Sequence, residues 1–176
     1  MKKVIVFAGS NSIKSINKEL AIYAASFLKD IELQILDLND FPLPIYGTSE
    51  ESENGIPENA QRFFKLIERT DGVVLSLAEH NGNFSVVFKN LFDWMSRVEQ
   101  KLWQNKPILL MATSPGGRGG ASVLNIAKNS FSHFGGNIVS EFSLPKFYDN
   151  YKDKAIIEAT LLNGLKESVA IFQKEI

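Results

Sequence analysis

The 176-residue sequence predicts a doubly wound α/β fold, a five-stranded parallel sheet with helices on both faces. Three observations carry the prediction. Five short apolar runs alternate with stretches in which apolar residues return every three or four positions, the pattern of a strand followed by an amphipathic helix. Two of the runs, Gly72–Leu77 and Pro107–Thr113, are almost wholly apolar, as strands buried on both faces of a parallel sheet must be. Loops rich in small polar residues and glycine follow three of the runs directly, at the strand ends where such sheets bind ligands.

The first strand, residues 3–8, breaks at Gly9 into Ser10, Asn11, Ser12, Ser15 and Asn17. These are small donors placed where the free N–H groups at the start of a helix point. Leu20, Ala21, Ala24, Phe27 and Leu28 then give that helix one apolar face. A second strand over residues 33–38 alternates Leu33 and Ile35 against Gln34, which suits an edge, and Asp37 closes it as a turn former. Residues 39–56, with two prolines and two glycines, read as a long loop in which Glu50, Glu51 and Glu53 form a solvated charge run.

Pro57 opens a second helix, marked by Ala60, Phe63, Phe64 and Ile67 and running to about Arg69. After the third strand, Gly72–Leu77, the Asn81-Gly82 pair makes a turn, and Phe88, Leu91, Phe92 and Met95 line a helix face. Trp94 lies one turn from Leu91 and is expected in the core or at a subunit interface. The fourth strand, Pro107–Thr113, leads into a loop where four glycines surround Arg118, so backbone must pass close to something there. Leu124, Ala127, Phe131 and Phe134 mark the next helix, Gly135-Gly136 ends it, and His133 near its end is expected to pack or cap. A fifth strand over residues 138–142 and a helix carrying Ile157, Leu161, Leu165 and Phe172 complete the chain as one domain, residues 1–176. In the strand order 2-1-3-4-5, the loops 9–17, 78–84 and 114–120 are neighbours and form a single site.

Composition narrows what that site can do. A chain of this length buries roughly 70% of its extended surface and holds a core without cross-links. A net charge of −1 provides neither a basic footprint for nucleic acid nor an acidic docking face. Without cysteine there is no disulfide, thiolate metal site or cysteine nucleophile, and two histidines offer little to a metal. The chemistry is therefore expected to come from a cofactor. The apolar run near the N-terminus is too short for a signal peptide or a membrane span, which points to a cytoplasmic protein without a membrane partner.

Two familiar phosphate motifs fail at the first loop. Aligned on Lys14 and Ser15, a Walker loop needs a glycine where Ile13 stands, and neither this loop nor the 116–120 glycines have the G-x-G-x-x-G spacing of a dinucleotide fold. A phospho-acceptor regulator would need paired acids after the first strand and an aspartate after the third, and it has neither. Helix capping explains Ser15 alone, but not Ser10, Ser12, Ser15 and Asn17 together, so the loop reads as a phosphate cradle.

Taken together, the three loops resemble those of the NADPH-dependent FMN reductase family of flavodoxin-like flavoproteins, which includes azo, quinone and chromate reductases. The family's G-S-x-R-x-x-S-x-N-x-x-L-A is matched by Gly9, Ser10, Ser15, Asn17, Leu20 and Ala21, with Ser12 in place of the arginine and Lys14 near enough to offer a replacement charge. Its P-E-Y-N-G-S followed by L-K-N-x-x-D-W is matched by Glu79, Asn81, Gly82, Lys89, Asn90, Asp93 and Trp94, with Ala78 for proline and His80 for tyrosine. Residues 113–120 are similar to its S-x-G-G-x-G-G segment.

The resemblance implies a flavodoxin-like three-layer sandwich. It also implies an FMN site formed by Ser10, Ser12, Ser15, Ile16, Asn17, Glu79, His80, Asn81, Gly82, Ser114, Pro115, Gly116, Gly117 and Arg118, with no catalytic side chain and no metal. Arg118 then offsets charge on the reduced flavin or holds a nucleotide phosphate, or else simply faces solvent. His80 stacks by or donates to the flavin, or merely fills the tyrosine's space. The implied activity passes hydride from NADPH or NADH through FMN to a quinone, azo compound, flavin or similar small acceptor, in a homodimer or homotetramer. The alternative is a flavodoxin-type electron carrier or FMN-binding module without its own NAD(P)H turnover, against which the absence of a strongly acidic balance argues.

Overall fold

The computed structural model describes residues 1–176, and its principal sheet has five parallel strands. These are β1 (Lys2–Gly9), β2 (Ile31–Ile35), β3 (Gly72–Leu77), β4 (Pro107–Thr113) and β5 (Asn137–Leu144), ordered β2-β1-β3-β4-β5 as predicted. Side chains alternate across the sheet, so Ile5, Phe7, Val73, Leu75, Ile108 and Leu110 enter one core while Val4, Val6, Val74, Leu109 and Met111 enter the other. Helices α1 (Ile16–Ala25) and α6 (Ala159–Glu175) cover the second core with Leu20, Ala24, Leu165 and Phe172. Helices α3 (Glu58–Arg69), α4 (Val86–Val98) and α5 (Ala121–Phe131) cover the first with Phe63, Phe88, Phe92 and Phe131. The aromatic excess gathers there: Phe92 stacks on Phe131 at 5.7 Å, and Trp103 lies 4.7 Å from the same ring.

Several elements differ from the sequence reading. Strand β2 runs from Ile31, pairing Lys2 with Ile31 through Val6 with Ile35, and it ends before Leu38 because Asp37 caps a 3-10 turn (Leu38–Asp40) that takes Leu38 out of the ladder. The expected loop 39–56 contains a further helix, α2 (Thr48–Asn54), with Glu50 and Glu51 in the first turn where the helix dipole favours acids. Glu51 is not simply solvated: it accepts from Arg97 Nε at 2.9 Å and from the Tyr46 hydroxyl at 3.1 Å. The arginine beside it lowers the Glu51 carboxyl below its ordinary range.

Helix α1 stops at Ala25, although Phe27 and Leu28 still pack on its core. Helix α6 starts at Ala159 because the Glu158 carboxylate accepts from the N–H groups of Thr160 and Leu161. Ile157 therefore falls outside the helix and is 60% exposed, while Ile156 takes the buried place. A one-turn helix (Phe147–Asn150) and a small hairpin (Tyr151–Lys152 with Ala155–Ile156) intervene between β5 and α6. His133 sits exposed in a 3-10 turn, where its carbonyl, not its ring, accepts from Lys101 Nζ.

Candidate functional site

Because β1, β3 and β4 are adjacent and parallel, their carboxyl ends bring the three loops together. A cleft of ≈ 200 Å³ opens there. Of the residues expected in the site, Ser10, Ser12, Ser15, Ile16, Asn17, Glu79, His80, Ser114 and Pro115 line it. Asn81, Gly82, Gly116, Gly117 and Arg118 do not line it, although they follow in sequence on the same two loops. Lys14, Ala78, Thr113 and Tyr148 also line the cleft. No sequence pattern marks Tyr148, because the one-turn helix at 147–150 that brings it to this end is too short to show a period.

The first loop is a helix start with unused donors. Ser15 caps α1, its Oγ accepting from Lys18 N–H at 3.2 Å, and the Glu19 N–H goes to the Ser15 carbonyl. The N–H groups of Ile16 and Asn17 have no partner in the chain, and they sit where a helix start attracts an anion. Asn17 enters the site through its backbone only. Its side chain is buried, with Oδ1 accepting from Ser76 Oγ at 2.7 Å and Thr113 N–H at 3.0 Å, and Nδ2 donating to Thr113 O at 3.2 Å. It fastens the loop to β3 and β4.

A second fastening comes from the edge of the sheet. Asp37 accepts from Lys18 Nζ and from Asn39, and Asn39 Nδ2 donates to the Asn11 carbonyl at 3.2 Å. The Lys18 ammonium, with help from Asn39, lowers the Asp37 carboxyl below its ordinary range despite its partial burial.

The second loop is a tight hairpin, Glu79–His80 with Asn83–Phe84, turned by Asn81 and Gly82 at φ 51° and 76°. Asn-Gly is the pair that tolerates two left-handed residues. The Glu79 carboxylate leaves the hairpin and accepts from Val123 N–H at 3.0 Å. It thereby caps α5, whose own cap position, Gly120, has no side chain. Gly120 has φ 79°, and a Cβ there would lie 2.6 Å from Ala112 Cβ, so this glycine is required by conformation and by packing.

The third loop is buttressed from β5: Lys146 N–H donates to Gly116 O at 2.9 Å and Phe147 N–H to Ser114 O at 3.0 Å. With buried Phe147 as anchor, this holds Tyr148 at the cleft. The N–H groups of Ser114, Gly116 and Gly117 have no partner in the chain, and a Cβ on Gly116 or Gly117 would meet nothing closer than 3.8 Å. Open space beside free backbone donors is what a flat polar ring edge needs. Arg118 turns away onto α5, donating to Ser122 Oγ at 2.9 Å.

The Lys89 to Trp94 motif is structural. Lys89 pairs with Asp93 along α4, while Asn90 Nδ2 and the buried Trp94 Nε1 both donate to the Pro44 carbonyl, at 2.9 and 2.8 Å. Tyr46 N–H donates to Asn90 Oδ1 at 2.8 Å, so the motif pins the 44–46 strap to the helix.

Quinone reductase of Escherichia coli (strain K12) is 31% identical over 90 residues, 49% of this chain and 48% of that protein. The match thus spans about half the length of that relative. NADPH azoreductase of Bacillus sp. (strain OY1-2) is 32% identical over 123 residues, 70% of this chain and 65% of that protein. Among solved structures, the flavoenzyme NAD(P)H:(acceptor) oxidoreductase FerB of Paracoccus denitrificans superposes with a TM-score of 0.77 at 27% identity, covering 99% of this chain and 96% of that one. The family model for NADPH-dependent FMN reductase matches residues 2–149, a span that holds all three loops and Tyr148, and the chain belongs to the NADPH-dependent FMN reductase family.

Proposed function

We propose that residues 1–176 form a single FMN-binding domain, and that the protein is an NAD(P)H oxidoreductase serving quinone, azo, flavin or similar small acceptors. The observation that supports this most directly is the set of unpartnered backbone donors, at Ile16 and Asn17 on the first loop and at Ser114, Gly116 and Gly117 on the third. They suit a ligand with an anion at one end and a flat hydrogen-bonding edge at the other. FMN held there would supply the redox chemistry between NADPH or NADH and the acceptor.

The chain's own residues then bind and orient. Ser10, Ser12 and the first turn of α1 hold the phosphate, while the hairpin at 79–82 and the loop at 114–118 hold the ring edge. Exposed His80 and Tyr148 border the face left open for nicotinamide and acceptor. No general acid or base is required of the protein, because the cofactor carries the transfer.

No helix is long and apolar enough to cross a membrane. We place the enzyme in the cytoplasm and expect a homodimer or homotetramer. The test begins with the absorption spectrum of the purified protein after addition of FMN. It continues with consumption of NADPH or NADH in the presence of a quinone and of an azo dye. Bound flavin that NAD(P)H reduces without a second protein supports the enzyme. A protein that takes up no FMN overturns the reading, and one whose flavin is reduced only by a partner reductase is an electron carrier.

A further inference from the structure

Lys14 is the one lysine or arginine on the wall of the cleft, and it stands on the loop that carries the free α1 donors. Its ammonium makes no ion pair or hydrogen bond within the chain, whereas Lys18, one turn further on, is held by Asp37. The other nearby cations serve elsewhere. Arg118 is turned onto Ser122, and Lys146 lies beside Gly117 at the far loop. The hydroxyls of Ser10 and Ser12 line the same cleft, and Ser10 Oγ accepts from Ser12 N–H at 3.1 Å. The one carboxylate on the cleft wall, Glu79, is engaged with the N-terminus of α5. The first loop therefore combines helix donors, hydroxyls and a single free positive charge, with no acid on that loop to neutralise it.

We propose that Lys14 is the counter-ion of the flavin phosphate in this chain, and that through it the cleft selects FMN over unphosphorylated flavin. The proposal rests on the FMN reading above and assigns to a lysine the charge that a guanidinium at the place of Ser12 would supply. The two cations act differently. A guanidinium fork fixes a phosphate through paired hydrogen bonds, whereas an ammonium on a flexible exposed stem attracts it as a point charge. Selection by Lys14 is accordingly sensitive to salt, because an exposed charge is screened within about 10 Å at 0.1 M ionic strength.

The experiment titrates flavin-free protein with FMN and, separately, with riboflavin, following quenching of flavin fluorescence over a range of salt concentrations. Wild type is compared with Lys14→Met, which keeps the aliphatic stem, and with Lys14→Arg; because Lys14 is exposed, both are expected to fold, and circular dichroism verifies it. In Lys14→Met, the affinity for FMN falls about tenfold, the loss of one charge-assisted contact to phosphate. Its affinity for riboflavin is unchanged and the salt dependence of FMN binding flattens, while Lys14→Arg retains FMN. A Lys14→Met protein that binds FMN as wild type does, with the same salt dependence, overturns the proposal and leaves the flavin reading standing. Equal loss of FMN and riboflavin also overturns it, since Lys14 would then shape the loop and not meet the phosphate. Wild-type protein that binds neither flavin overturns the flavin reading and the proposal with it.

Discussion

The Asn17 amide shows how much one side chain can hold when all its partners are buried. It meets Ser76 on β3 and both the N–H and the carbonyl of Thr113 on β4, and replacing it by alanine strands a buried hydroxyl and a buried backbone pair together. Asn17→Ala should therefore lower unfolding free energy by about 2–4 kcal/mol in urea titration, more than an ordinary surface change. Asp37 makes a pH-dependent contribution. Because the Lys18 ammonium holds its folded carboxyl below the unfolded value, the stabilisation is present above the ordinary aspartate range and is lost as pH falls through the lower folded value. Lys18→Met is expected to be less stable than wild type at pH 7, with the gap closing below about pH 4 when both are unfolded in urea across that range. The direction of both effects follows from partners that lie far along the chain, 96 residues for Asn17 to Thr113 and 19 for Lys18 to Asp37.

Elements meet at the site through caps and not through bulk. Helix α5 begins at a glycine that cannot cap it, and the acceptor comes from Glu79, 44 residues earlier on the neighbouring loop. One hydrogen bond thus joins a helix start to the hairpin that flanks the cleft. Glu79→Ala should cost about 1 kcal/mol of stability, as loss of a helix cap does, and loosen the hairpin and the start of α5, whereas Glu79→Gln keeps an acceptor and should lose less. Amide hydrogen exchange at Val123 and thermal unfolding of the two variants check this. Likewise α2 is tied to α4 by Glu51 and Arg97, and the 44–46 strap by Asn90 and Trp94, so the long connection after β2 is fastened at several points. The sequence reading found the helices by their apolar faces but took α2 for loop, since its Thr48–Asn54 segment is wholly polar and buries no residue. Periodicity is silent where no face is buried.

For the molecule as a whole, the parallel sheet places three loops at one end, and a ligand that binds there links all three strands. Saturating FMN should then stabilise the folded state by mass action, about 2.7 kcal/mol at a hundredfold excess over Kd, raising Tm by roughly 5–10 °C for a chain of this size. Thermal unfolding with and without FMN measures it, and no shift at any FMN concentration would speak against the cleft as a flavin site. Much of this architecture was legible beforehand. Alternating apolar runs, glycine turns and polar strand-end loops are properties of neighbouring residues, so the sequence by itself determined the five strands, their burial, and the three loops whose residues belong to one family pattern. Tertiary structure alone decided the roles of individual side chains: that Asn17 turns inward, that Glu79 caps a distant helix, that Asn90 and Trp94 hold a strap, that Arg118 leaves the cleft, and that Lys14 and Tyr148 face it. The reason is physical. Local pattern sets which residues are buried, but a polar group's function depends on which partner meets it, and those partners are brought together only when the sheet closes the distance between segments tens of residues apart.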